Sequence, residues 1–234
     1  MNFFVWLLKP SNVIKYTDNF IKYLVILLNI LIFSNLIYLY FLGFVDYKQG
    51  FYAQIMFVHV PAAWMAIFVY ILLGITSFLF LVYKHPLLIY INDIFAFLSL
   101  LFVTLTLITG SLWGKPTWGT WWVWDARLTS VFVIFLLLLS MLILRFLIEN
   151  FYDSAKLVSF LGLIGIINIP IVKFSVEWWN TLHQPSSITL FKSQIDYSLL
   201  ISIYGMFLFF FIFSLLIFFI YLKVVILELK YQSS

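Results

Sequence analysis

The chain has 234 residues, of which 65% are hydrophobic and only 9% charged, and its mean hydropathy is +1.13. So few charges cannot clothe a water-facing surface, which excludes a soluble domain and assigns the chain to a bilayer. The formal net charge of +4 is spread without a basic run, which sets nucleic acid aside as a ligand, and the absence of cysteine excludes disulfides, thiolate metal ligation and thiol redox chemistry by this chain.

A crossing requires about 20 apolar residues, so the length suits roughly six helices. Met1–Asn19 mixes Trp6 and Leu7 with Lys9, Pro10, Lys15 and Asp18, lacks a small-residue cleavage site, and is expected to lie on the membrane surface. Apolar spans follow at Phe20–Leu42, Ile55–Val82, Ile94–Leu112, Leu128–Leu147, Leu157–Val172 and Leu199–Val225. The expected fold is all-α: a single membrane domain over residues 1–234, built as a six-transmembrane-helix bundle.

An even number of crossings places both termini on one side. Lys9, Lys15, Lys22, Lys84, Arg145, Lys156, Lys223 and Lys230 then share the terminal side, against Lys48, Lys115, Arg127, Lys173 and Lys192 opposite. This modest bias predicts termini in the cytoplasm of a bacterium, or in the matrix of a mitochondrion. The terminal-side loops, Tyr83–Asp93 and Glu149–Lys156, are short. The opposite, extracytoplasmic side carries Gly43–Gln54, Trp113–Arg127 and Lys173–Ser198.

The Trp113–Arg127 loop contains Trp113, Trp118, Trp121, Trp122 and Trp124, five of the chain's 9 tryptophans, followed by Asp125. A few tryptophans at a helix end form an interfacial belt, but this density, punctuated by Gly114, Pro116 and Gly119, exceeds what anchoring needs and reads as a binding platform. The two glycines are expected to let the backbone turn or approach a ligand. Flat indole faces suit a flat, largely apolar ligand with a polar edge.

His59, just inside the outer end of the second span with Pro61 in its first turn, and His183, beside Trp178 and Trp179 in the Lys173–Ser198 loop, share the face of the tryptophan loop. Each alone is an ambiguous interfacial histidine. His85, before Pro86 on the other side, reads as a turn residue. Combined, the two outer histidines and the aromatic loop match what a metalloporphyrin requires: axial imidazole nitrogens, apolar cover for the ring, and cations at the wet edge for its carboxylates. Lys115 and Arg127 are candidates for that edge. Two other roles stand equally open for Arg127, an ion pair with Asp125 or snorkelling at the interface. Asp125 has no second carboxylate beside it and reads as a structural partner rather than a general acid or base. No residue set demands catalysis, so the chain is not expected to be an enzyme.

The Trp113–Asp125 segment resembles the signature of the tryptophan-rich haem-handling membrane proteins of cytochrome c biogenesis. Within that group the chain is similar to the haem exporter protein C family, also called cytochrome c maturation C proteins, in its six-span size and in Phe57–Trp64, Trp113–Ser130 and Ser175–Gln184. The resemblance implies that Trp113, Trp118, Trp121, Trp122, Trp124 and Asp125 belong to the haem loop. It implies His59 and His183 as axial ligands of a transient, non-covalent haem b. It also implies as partners the A and B subunits of an ATP-driven transporter, a small D membrane protein, and the haem-chaperone E protein that receives the haem. The motif positions show no departure from the family pattern; Pro185 after Gln184 bears on the local shape of that loop alone. Two alternatives are a haem-ligating core that attaches haem to apocytochrome, which would be larger, and a transporter subunit unrelated to haem, which would carry ionisable residues near the midplane.

Overall fold

The computed structural model of the protein describes residues 10–179, 181–183 and 195–232. Six long helices follow one another: α1 (Pro10–Leu42), α2 (Met56–Tyr83), α3 (Pro86–Trp118), α4 (Ala126–Leu147), α5 (Phe151–Trp178) and α6 (Tyr197–Gln232). All six contain stretches long and apolar enough to cross a bilayer, in agreement with the expected all-helical, six-span class. A short 3-10 helix, Phe51–Ile55, leads into α2, and an isolated bridge between Asp46 and Gly50 closes the first loop. One end of the bundle carries the start of α1 and the finish of α6. The other, the loop end, carries the connections α1–α2, α3–α4 and α5–α6.

The helices run further than hydropathy predicts, because their ends are capped by polar side chains that an apolar window rejects. At the terminal end, Lys84 adopts a left-handed conformation and its N–H closes α2 onto the Phe80 carbonyl at 2.7 Å. Pro86 then opens α3, with His85 Nδ1 accepting the Leu87 N–H at 3.3 Å, so His85 is a cap. Asn150 Oδ1 caps α5 through the N–H groups of Tyr152 and Asp153 at 3.0 and 3.1 Å. The expected loops Tyr83–Asp93 and Glu149–Lys156 thus shrink to Lys84–His85 and Ile148–Asn150.

At the loop end, Trp113–Trp118 belongs to α3, and the tryptophan loop reduces to Gly119–Asp125. Gly114 was expected to let the backbone turn or approach a ligand, but it and Pro116 both lie within the helix. Gly114 lies under the Trp118 ring, where a Cβ would come within 3.0 Å of it, and the Thr117 hydroxyl donates to the Trp113 carbonyl at 2.8 Å. The turn comes at Gly119, whose φ of 77° demands glycine. α5 likewise continues through Lys173 to Trp178. Pro61 lies in the second turn of α2, because that helix starts at Met56. The residues Pro10–Asn19 form the first turns of α1 instead of a separate surface segment.

Lipid tails are as apolar as leucine, so helices in a bilayer associate through close packing and internal hydrogen bonds. The core runs through α2–α6 and includes the fully buried Met65, Tyr70, Leu73, Leu138 and Met141. Gly162 and Gly165 of α5 receive Ser77 and Tyr70 of α2, in a fit so close that a Cβ at either position would collide with a hydroxyl. Arg145 joins three helices near the terminal end. Its guanidinium meets both Asp93 oxygens at 2.8 Å and donates to Ser154 Oγ at 2.5 Å and to the Phe151 carbonyl at 3.2 Å. Removing one partner of such a pair typically costs about 3–5 kcal/mol. α1 pairs principally with α6. The Asn35 amide donates to the Ser202 carbonyl at 3.1 Å and accepts the Ser202 hydroxyl at 2.5 Å, and Tyr38 donates to the Ser198 carbonyl at 2.9 Å.

Candidate functional site

His59 sits in the first turn of α2, half-buried against the outer part of α3. Its Nδ1 lies 2.9 Å from the Thr109 hydroxyl, and its ring meets the Trp113 indole edge-on with centroids 5.8 Å apart. Trp113 is fixed in turn: its Nε1 donates to Gln49 Oε1 in the first loop at 2.8 Å, and it packs with the cluster around Met56, Phe57 and Ile203. His59 therefore enters from a helix, in a rigid setting, with Nδ1 occupied.

His183 arrives from the α5–α6 connection and packs edge-on to Trp118 at 4.8 Å. Its Nδ1 lies 3.2 Å from Asp125 Oδ2. Asp125, 6% exposed in its side chain, also caps α4 by accepting the Leu128 N–H at 2.7 Å, so one carboxylate starts a helix and holds the histidine. An ionised carboxylate only accepts, so His183 Nδ1 carries the proton and Nε2 keeps its lone pair. Burial pushes the His183 imidazole below its ordinary value of 6.5, opposed by the hydrogen bond and charge of Asp125, which raise it. The ring is therefore neutral at pH 7, the form that can ligate a metal. The structural-partner reading of Asp125 agrees with both contacts.

Both histidines thus lean on the outer part of α3, one at Trp113 and the other at Trp118. Five residues at a rise of about 1.5 Å separate those tryptophans by roughly 7–8 Å along the axis. The remaining rings divide by exposure. Trp121 and Trp124 are 53% and 74% exposed, whereas Trp122 turns inward, packing edge-on to Trp124 at 5.5 Å and to Phe132 at 5.8 Å. Trp122, Phe132, Leu107, Ile108, Ser111 and Leu112 line an open, mostly apolar groove of about 380 Å³ between α3 and α4. The Trp122 Nε1 is buried without a hydrogen-bond partner among the described residues.

The two candidate cations differ. Lys115 is exposed, donates to the Gly119 carbonyl at 3.1 Å, and stands 5.7 Å over the Trp121 ring. Arg127 does not hydrogen-bond to Asp125, although the carboxylate is near enough to act on it through charge. Its guanidinium instead reaches α5, donating to Ser175 Oγ at 3.4 Å and the Lys173 carbonyl at 3.1 Å, so the direct Asp125–Arg127 pair is not formed. Pro185 and Gln184 fall outside the described residues.

Sequence reasoning missed Thr109, Gly110, Ser111 and Gln49. Ser111 donates to the Trp121 carbonyl at 2.9 Å and pins the loop to α3. The Thr-Gly-Ser run one turn before Trp113 is a polar interruption inside an apolar span, and that signal could have drawn attention to it. Gln49 carries no comparable signal.

Comparison with known proteins matches this arrangement to one family. The profile described as Heme exporter protein C covers residues 3–234. A ccmC-like mitochondrial protein of cytochrome c biosynthesis from Marchantia polymorpha is 48% identical over 189 residues, which is 81% of this chain and 80% of the relative. Heme exporter protein C of Bradyrhizobium diazoefficiens is 47% identical over 157 residues, or 67% of this chain and 60% of that protein. The Escherichia coli K12 protein of the same description is 40% identical over 151 residues, 64% and 61% of the two chains. With a helical scaffold and a family profile spanning nearly its whole length, the chain belongs to the haem exporter protein C family of cytochrome c biogenesis.

Proposed function

We propose that this protein takes up haem b at the loop end of its bundle, holds it non-covalently and transiently, and hands it to the haem-chaperone E protein. The observation that carries this reading is that two imidazoles from different elements converge on one short stretch of α3, each with Nδ1 against an oxygen. The group left to each is Nε2, the nitrogen a haem iron takes. Trp118, Trp121 and Trp124 supply aromatic cover, while Trp113 and Trp122 back the site from inside. Lys115, exposed beside Trp121, is the candidate cation for a propionate. Arg127 can offer only the part of its fork not spent on α5.

The family role supports the rest of the assignment. The A and B subunits of an ATP-driven transporter and a small D membrane protein are the expected partners within the bilayer. The site is the bacterial inner membrane or its mitochondrial counterpart, with the termini inside and the whole chain acting as one membrane domain. The decisive measurement is an optical spectrum of the detergent-purified protein loaded with haem. A bis-imidazole haem spectrum is expected, altered by His59→Ala and by His183→Ala and untouched by His85→Ala. Loss of the spectrum in the His85 variant alone, or no haem band after loading, refutes the assignment.

A further inference from the structure

We propose that Thr109, with Gly110 beside it, is the positioning residue for His59: its hydroxyl fixes which ring nitrogen carries the proton and so turns Nε2 into the free one. The inference rests on the haem reading for its purpose, but on geometry alone for its content.

A threonine hydroxyl has one hydrogen to give. In Thr109 that hydrogen goes to the Leu105 carbonyl one turn back, at 2.6 Å, with the Thr106 carbonyl a weaker second acceptor at 3.3 Å. The oxygen therefore faces His59, 2.9 Å away, with a lone pair. Two lone pairs at that distance repel, so Nδ1 must be the protonated nitrogen and Nε2 the unprotonated one. Asp125 forces the same tautomer on His183 by different chemistry, since a carboxylate has no proton to offer. The two histidines are thus set alike, one by Thr109 and the other by Asp125.

Gly110 fixes how close the ring lies. A Cβ there would stand 3.0 Å from His59 Cε1 and 3.6 Å from Nδ1, so any larger residue displaces the imidazole from the Thr109 oxygen. Trp113, one turn on, closes the seat from the outer side. Three positions on two successive turns of one helix set the ring's tautomer, depth and tilt. The setting is half-buried at the membrane edge, where an unsatisfied nitrogen is costly.

The test uses the full-length protein without haem, labelled with nitrogen-15 histidine in detergent micelles, the His59 signals being identified by their loss in His59→Gln. Nitrogen NMR distinguishes the two tautomers directly. Wild type is expected to show His59 protonated at Nδ1. Thr109→Val, which keeps the shape and removes the acceptor, should move the tautomer ratio toward Nε2–H by about fivefold, the factor equivalent to one net hydrogen bond. Thr109→Ser should restore it. A wild-type His59 protonated at Nε2 overturns the proposal without any variant having to fold. An unchanged ratio in Thr109→Val also overturns it, because the proton would then be held by something other than the Thr109 oxygen. Haem affinity read on the same variants separates this proposal from the reading beneath it. If the tautomer follows Thr109 while affinity stays level, the seat stands and His59 is not an iron ligand.

Discussion

Asp125 performs two tasks with two oxygens, and a pair of substitutions separates them. Asp125→Ala removes the cap of α4, worth about 1 kcal/mol, and leaves a largely buried His183 N–H without an acceptor, worth about 1–3 kcal/mol more. The expected destabilisation is therefore roughly 2–4 kcal/mol. Asp125→Asn behaves differently. Its amide oxygen still accepts the Leu128 N–H, so the helix start survives, but the group facing His183 becomes a donor. The histidine must answer with an unprotonated Nδ1, which puts the proton on Nε2 and closes the nitrogen proposed for iron. Loss of such an outer partner usually weakens metal binding by about 10–100-fold. Haem titration followed by absorbance, alongside thermal melts in the same detergent, should show Asn losing affinity at nearly normal stability and Ala losing both. Wild-type haem affinity in Asp125→Asn, or equal melting losses in the two variants, would refute the argument.

Other outcomes follow from exposure, charge and topology. Trp121→Ala and Trp124→Ala remove exposed rings, so membrane levels should hold while haem retention or handover falls; Trp6→Ala, outside the described residues, should change neither. If both loop variants disappear from membrane fractions, the rings are structural anchors. Because burial depresses the His183 pKa below 6.5, the unfolded chain takes up that proton first as pH falls. The stability contributed by a neutral His183 is then complete above pH 6.5 and declines below it. Melts from pH 7.5 down to 5.5 should slope downward in wild type and less in His183→Gln, and parallel slopes would contradict the assignment. In intact cells an impermeant thiol reagent should label Tyr47→Cys, whose parent side chain is 97% exposed, and spare Ser233→Cys. The reverse pattern would invert the orientation.

The spans were legible because a bilayer crossing needs long apolar runs and almost nothing else. Their ends were not. Trp113–Trp118 carries a glycine and a proline, residues that disfavour helices in water, and a lysine that lowers its hydropathy, yet α3 passes through all three, with Gly114 packed under the Trp118 ring. The histidines and tryptophans announced themselves by residue type and by sharing a side. What holds them did not: Thr109 meets His59 and Ser175 meets Arg127 only through the register between separate helices, which no local pattern encodes. Arg127 shows the limit most plainly, since a pair with its sequence neighbour Asp125 was one of the roles left open and the partners it has lie 46 and 48 residues away.

The pairing of α1 with α6 has a consequence for how the chain is made. α1 leaves the ribosome ahead of the other five helices, and its buried amide, Asn35, is matched by Ser202, 167 residues later. Until α6 follows, α1 waits in lipid with that amide unmatched, while α2 to α5 already have one another. The bundle is therefore closed by α6, as a purse is closed by its clasp. A chain that stops short of Ser202 would insert five spans in good order and leave the first one adrift, exposing a polar signal in the bilayer that membrane quality control can read.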